Sequence, residues 1–451
     1  MRSFFQDFKK DDDGNIVECK MHDLIHDFAE FLTKTDFSVL VNNEKISSHK
    51  IRHLAVDDEE NPSIYEAKKL RTLLVGKTSK SVPFALHKLT CLRTLDLSHA
   101  YYTLGESALE GLPSEVNRLL HLRYLDLSSN TRLKELPETV RSLVNLQTLK
   151  LNRCRSLCKL PEGIGELSNL RHLEVKYTYY LKCYPRGGIE RLSQLRTLSK
   201  FVVSDGSSKG SVIGELGNLN FLKGSLSITG LRNVKSGNEV KEAQLHKKEN
   251  ISDLVLNFED SEPDIGHVSS EEEIPRMEGV LENLEPHKES LERLEIRNYV
   301  GSTLPTWMRM MSNITCLYLR NCPNLKVEPH YLFPPRLETL VLREDVGVLS
   351  KSLMSLTHNN NLKSLFIDSL PHSSLPQGLN QLTSLQKLTF FGCDFLDFKP
   401  EELKPLTMLR ELYIQGCPIF TRRGISREED WSILTHIPKI LINHPGLPYY
   451  Y

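Results

Sequence analysis

Leucine and its aliphatic equivalents return along this chain in a fixed figure, LxxLxLxx, roughly fifteen times between Ile51 and about Cys417, usually every 22 to 30 residues. Clear copies are LRTLDLSHA at Leu92, LRYLDLSSN at Leu122, LQTLKLNRC at Leu146, LERLEIRNY at Leu291, ITCLYLRNC at Ile314, LQKLTFFGC at Leu385 and LRELYIQGC at Leu409. Each copy opens a short strand. Its apolar first, fourth and sixth residues point inward, and the residues between them point outward. Copies at this spacing predict an α/β fold of the leucine-rich-repeat solenoid type, a curved parallel sheet backed by irregular or helical outer segments. Function is expected on the outward residues.

A solenoid adds length without adding separate cores, so 46–420 reads as one array. Residues 1–45 do not repeat. They hold a charged turn, DDDGN, and then MHDLIHDFAEFL at Met21–Leu32, whose Leu24, Ile25, Phe28 and Phe31/Leu32 follow helical spacing. Between the strands near Leu254 and Leu294 the period stretches, and the extra sequence, FEDSEPDIGHVSSEEE at 258–273, is acidic enough to predict a solvated loop. The last segment, 421–451, contains WSILTHIPKILI, an apolar stretch expected to cap the open end of the array.

A net charge of -1 offers no global field toward nucleic acid or anionic lipid. Neither is expected as a partner. The first twenty residues are too charged for a signal peptide and no apolar run approaches a membrane span, so the expected location is cytoplasmic. Of the nine cysteines, Cys154, Cys322, Cys393 and Cys417 fall eight residues after the first apolar residue of a repeat, where Asn130 stands in another copy. This slot is expected to serve the turn that leaves the strand. With no CxxC pair, reduced thiols are expected and zinc is not.

Three separated stretches carry a resemblance. At the front, FFQDFKKDDDGNIVECKMHDLIHDFAEFL resembles the end of the winged-helix subdomain of plant intracellular immune receptors, the disease-resistance proteins with coiled-coil, nucleotide-binding and leucine-rich-repeat regions. It includes their Met-His-Asp motif at Met21, His22 and Asp23. In the middle, VLENLEPHKESLERLEIRNYVGSTLPTWM at Val280–Met308 resembles a segment of their repeats. At the end, CPIFTRRGISREEDWSILTHIPKI at Cys417–Ile440 resembles their closing segment. The resemblance implies a partial winged-helix remnant over 1–45 and, for His22, a place near the diphosphate of ADP in an intact receptor. It also implies a P-loop module upstream that is absent here, so this chain is expected to use no cofactor, with ADP or ATP belonging to a full-length relative. A truncated gene product and a short paralogue both fit that departure.

Other short matches to catalytic motifs dissolve on inspection. Gly76-Lys77-Thr78 lacks the first glycine of a P-loop, since position 71 is Arg71, and it sits in a repeat strand. His22-Asp23-Leu24-Ile25-His26 spaces two imidazoles like a zinc protease, but with Asp for Glu and no third ligand. Gly206 to Gly210 satisfies GxSxG inside a polar loop rather than a strand-to-helix elbow. No enzyme is expected.

Stacked strands place equivalent outward residues in columns. One reads Arg297, Arg320, Arg343, and its neighbour reads Tyr318, Val341, Phe366, Thr389, Tyr413, with Phe391 beside it. Like charges in register are unexplained by packing, and arginine among exposed aromatics is a hot-spot composition. This face is therefore expected to be exposed, to bind protein and to lack carboxylates that neutralise the whole arginine column. A second column reads Arg52, Arg71, Arg93, Arg123, Arg171 and Arg196, with Gln147 as a break. The resemblance implies that the early repeats dock on the nucleotide-binding module, although the same arginines also suit a plain LRxL repeat. The expected partners are that module and either a pathogen effector or a guarded host protein. A free-standing leucine-rich-repeat scaffold is the alternative, supported by turns such as ELPETV and KLPEGI.

Overall fold

The computed structural model describes residues 5–10, 16–22, 36–40, 51–58, 62–77, 86–98, 109–204, 209–259, 272–327, 333–419 and 434–442. Two compact units divide the chain, one holding Met1–Phe221 and the other Leu222–Leu447.

In the first unit, strands Phe5–Lys10 and Ile16–Met21 form an antiparallel hairpin. The remnant expected to be helical thus begins with strands on either side of the DDDGN segment. The helix expected over Met21–Leu32 falls mostly outside the described residues. An eight-stranded parallel sheet follows, running from Phe37–Leu40 through His53–Asp58, Thr72–Lys77, Thr94–Asp96, Tyr124–Asp126, Thr148–Lys150 and His172–Glu174 to Thr197–Leu198. The sheet starts ahead of residue 46 because Phe37–Leu40 pairs in register with the strand at His53.

Inward leucines explain the stacking. Leu92, Leu95, Leu97, Leu122, Leu125 and Leu127 have no solvent exposure, and each aliphatic side chain of that size contributes about 1.5–3 kcal/mol when fully buried. On the outer side the LPxx turns set short 3-10 helices. Pro113 and Pro137 both hold φ at -67°, directly before Ser114–Arg118 and Glu138–Ser142.

In the second unit, parallel strands run from Lys223–Thr229 and Asn250–Asn257 through Arg293–Arg297, Cys316–Arg320, Thr339–Arg343, Ser364–Asp368 and Lys387–Phe391 to Glu411–Gln415. The closing segment adds a further parallel strand, Lys439–Ile442, with Leu434 and Ile437 buried before it.

The acidic insert is shorter than the sequence suggests. Phe258 is buried against the Tyr299 ring at 5.0 Å between centroids, and Glu273 opens the helix Glu273–Asn283 as a buried carboxylate. Arg232 grips that carboxylate through two nitrogens at 2.5 and 2.9 Å. Both ends of the predicted loop are packed, because an aromatic ring and a forked ion pair provide anchors that its overall acidity conceals. The stretch 260–271 lies outside the described residues.

Candidate protein-interaction surfaces

The slot after each strand is occupied as its chemistry requires. Asn130 is fully buried, donates to the carbonyls of Leu97 at 2.9 Å and Leu127 at 2.8 Å, and accepts from the Leu109 amide at 3.0 Å. Cys154 donates its thiol to the Leu127 carbonyl at 3.1 Å, and Cys322 and Cys393 reach the Ile296 and Ile367 carbonyls, each at 3.8 Å. Burial pushes the Cys154 and Cys322 thiols up to about 12. Thr178 performs the same task with its hydroxyl on the Val175 carbonyl at 2.7 Å. None of the nine cysteines is in a disulfide, and among the described residues no group of His, Cys, Asp and Glu could hold a metal ion.

The late columns differ from expectation. Arg297, Arg320 and Arg343 do stack in register, but the column continues through Asp368 to Phe391. Phe391 therefore extends the arginine column, beside the aromatic one as its sequence position implies. Each arginine also has its own carboxylate: Arg297 turns back on Glu295 at 2.6 Å, Arg320 reaches Glu344 at 2.8 Å and Arg343 meets Asp368 at 2.7 Å. The expectation of an un-neutralised column is overturned. Parallel strands lie about 4.8 Å apart, close enough for an acid in the same or the next repeat to offset each like-charge neighbour.

The aromatic column is also less open than expected. Tyr413 is only 7% exposed, its hydroxyl donates to Glu411 at 3.0 Å, and Lys387 and Lys439 cover its ring, each at 5.1 Å from the centroid. Val341 and Thr389 are buried, whereas Tyr318, Phe366 and Phe391 are half-buried. Arg293 lies 5.7 Å from the Tyr318 ring centroid. The strand Lys439–Ile442 buries Tyr413 because it pairs Leu441 opposite it.

The early columns behave in the opposite way. Arg52, Arg93, Arg123, Arg171 and Arg196 are exposed and Arg71 is half-buried. Their backbones lock the stack: the Arg71 amide donates to the Arg52 carbonyl at 2.7 Å, Arg93 to Arg71 at 2.7 Å, Arg123 to Arg93 at 2.8 Å, and Arg196 to Arg171 at 2.7 Å. Arg52 has a loose partner in Asp36 at 3.7 Å. Among the described residues, Arg93, Arg123, Arg171 and Arg196 make no side-chain hydrogen bond or ion pair.

The adjoining columns satisfy themselves. His53 and Thr72 bond at 2.9 Å, His172 and Thr197 at 3.0 Å, Tyr124 donates to Asp126 at 2.9 Å, and Lys150 lies 3.9 Å from Glu174. Burial raises the Asp96 carboxyl above its ordinary range, with Asp126 adding repulsion. Among the described residues, the guanidinium groups left open on this face of the first unit lie along one edge.

His22 is exposed, next to the strand Ile16–Met21, while Asp23 lies outside the described residues, as do His26 and most of the Gly206–Gly210 loop. Gly76 and Lys77 end a repeat strand.

Residues 1–29 match the Disease resistance protein Winged helix domain family, 213–345 match the R13L1/DRL21 LRRs family, and 121–143 match Leucine Rich Repeat. The disease resistance protein RGA1 of Solanum bulbocastanum is 37% identical over 96% of this chain and 38% of its own length. The chain is homologous to plant disease-resistance proteins. RGA2 of the same species is 32% identical over 93% of this chain and 39% of that protein, and a disease-resistance protein of Arabidopsis thaliana is 33% identical over 94% and 29%. The chain thus spans less than two fifths of the length of these relatives. No described helix is long and apolar enough to cross a membrane.

Proposed function

We propose that this chain is the recognition and autoinhibitory portion of a plant intracellular immune receptor, a non-enzymatic, cytoplasmic module that acts by binding protein. The observation that carries the reading is the contrast between the two arginine columns. Exposed guanidinium groups without a carboxylate are poised to pair with an acidic surface, and their desolvation on binding is offset only if such a surface is supplied. The early column, Arg93 to Arg196, is the proposed dock for the parent receptor's nucleotide-binding module. The half-buried Tyr318, Phe366 and Phe391 are the proposed contacts for a pathogen effector or guarded host protein, with the late arginines holding that face in shape.

Full-length RGA1 carrying this chain in place of its matching region tests the reading in leaf tissue. Arg93→Glu with Arg123→Glu should release the dock and trigger cell death without any elicitor at unchanged protein abundance. Silence in that variant would favour the free-standing scaffold, whose arginines are a repeat preference and nothing more.

A further inference from the structure

The turns that leave three consecutive strands of the first unit, 127–134, 151–158 and 175–182, carry six basic residues and no acidic one: Arg132, Lys134, Arg153, Arg155, Lys176 and Lys182. Backbone bonds stack these turns directly. The Ser129 amide donates to the Asn152 carbonyl at 2.7 Å, the Arg153 amide to Lys176 at 2.7 Å, and the Cys158 amide to Lys134 at 2.9 Å. The Lys200 ammonium adds a further cation, held on the Thr178 carbonyl at 2.8 Å.

Three tyrosines stand in the same stack. Tyr177, Tyr179 and Tyr180 are 43%, 67% and 62% exposed, a concentration of open aromatic surface within four residues. Tyr177 and Arg153 both adopt left-handed backbone, φ 60° and 61°, and the guanidinium lies 5.2 Å from the ring centroid. A tyrosine or an arginine costs more than glycine in this conformation, so the stack presents these side chains at the expense of local backbone energy. Arg132 is paired with Glu110 at 3.2 Å, whereas the neighbouring Glu135 bonds Lys159 at 3.0 Å and Glu174 bonds Asn152 at 2.8 Å, both partners outside these six residues.

We infer that this tyrosine-arginine stack is a second protein-binding surface, taking an acidic polypeptide segment with an apolar or aromatic residue at its centre. Charge complementarity names the acid, and the exposed rings of Tyr179 and Tyr180 name the apolar centre. Single-stranded nucleic acid is disfavoured, because Arg153 already covers one face of Tyr177 and the chain's net charge of -1 supplies no long-range attraction. The surface is independent of the early arginine column, which lies on the opposite end of the same strands.

Fluorescence anisotropy with the full chain tests it, using a short labelled polyglutamate with a central tryptophan-leucine pair, plain polyglutamate, and oligouridylate of equal length. The first peptide should bind saturably and more tightly than the other two. Tyr179→Ala with Tyr180→Ala, and separately Arg155→Glu, should weaken it about tenfold or more at unchanged melting temperature. Arg93→Glu with Arg123→Glu should leave it intact, which separates this surface from the proposed dock. Absence of saturable binding, equal affinity for plain polyglutamate, tighter binding of the RNA, or indifference to the stack variants would each overturn the assignment.

Discussion

Asn130 shows what a single side chain can fix in a stacked fold. Its amide satisfies one buried N–H and two buried carbonyls drawn from two neighbouring repeats. Removing it orphans all three, and each buried orphan costs about 1–3 kcal/mol. Asn130→Ala is therefore expected to lower unfolding stability by about 3 kcal/mol or more in urea titrations, and Cys322→Ala, which loses only the weak thiol contacts to the Ile296 and Arg320 carbonyls, by distinctly less. The same slot governs reactivity. Cys154 and Cys322, buried and held near 12, should resist iodoacetamide at mildly alkaline pH, while the exposed Cys91 and Cys158 alkylate first, as mass spectrometry of the native protein would show. The slot was legible because its residue recurs at a fixed distance from the leucines. The half of the site that was misread, the late arginines, depended on acids at Glu295, Glu344 and Asp368, whose positions relative to the arginines differ from repeat to repeat. Periodicity alone does not reveal partners placed irregularly.

Each strand must hand the chain to its turn, and in the late repeats that exit is left-handed throughout. Asn298, Asn321, Glu344, Ser369, Gly392 and Gly416 all have positive φ. Glycine at this step is a local preference, so Gly416→Ala, with its nearest foreign atom at 3.4 Å, should cost only the backbone term of about 1–2 kcal/mol. Gly347 differs. A side chain there would meet the Leu325 carbonyl oxygen at 2.3 Å, so Gly347→Ala should destabilise clearly more than Gly416→Ala in parallel thermal melts. Equal losses would show that the backbone relaxes freely around Gly347. Strand positions and inward residues were readable from the leucine figure, because period two fixes which side chains are buried. The hairpin at Phe5–Lys10 and Ile16–Met21 was not, since it lacks that repeated context, nor was the packing of Phe258 and Glu273 at the edges of an otherwise acidic run.

At the scale of the molecule, charge is sorted by unit. The second unit neutralises its stacked arginines internally, and the first leaves four of them open on one edge. An exposed ion pair contributes at most about 1 kcal/mol to folding, so the open arginines are expected to matter little to stability and much to association. The chain covers 38% of its RGA1 relative, and the nucleotide-binding module proposed above as the docking partner is the natural probe for the open edge. The most direct measurement is the affinity of this chain for that separately purified module, by calorimetry at low and high salt. Binding should weaken as salt rises and should be abolished by Arg93→Glu, Arg123→Glu, Arg171→Glu and Arg196→Glu together, while Arg297→Ala leaves it unchanged. Undiminished affinity in the quadruple variant, or no association between the two proteins at low salt, would contradict the account.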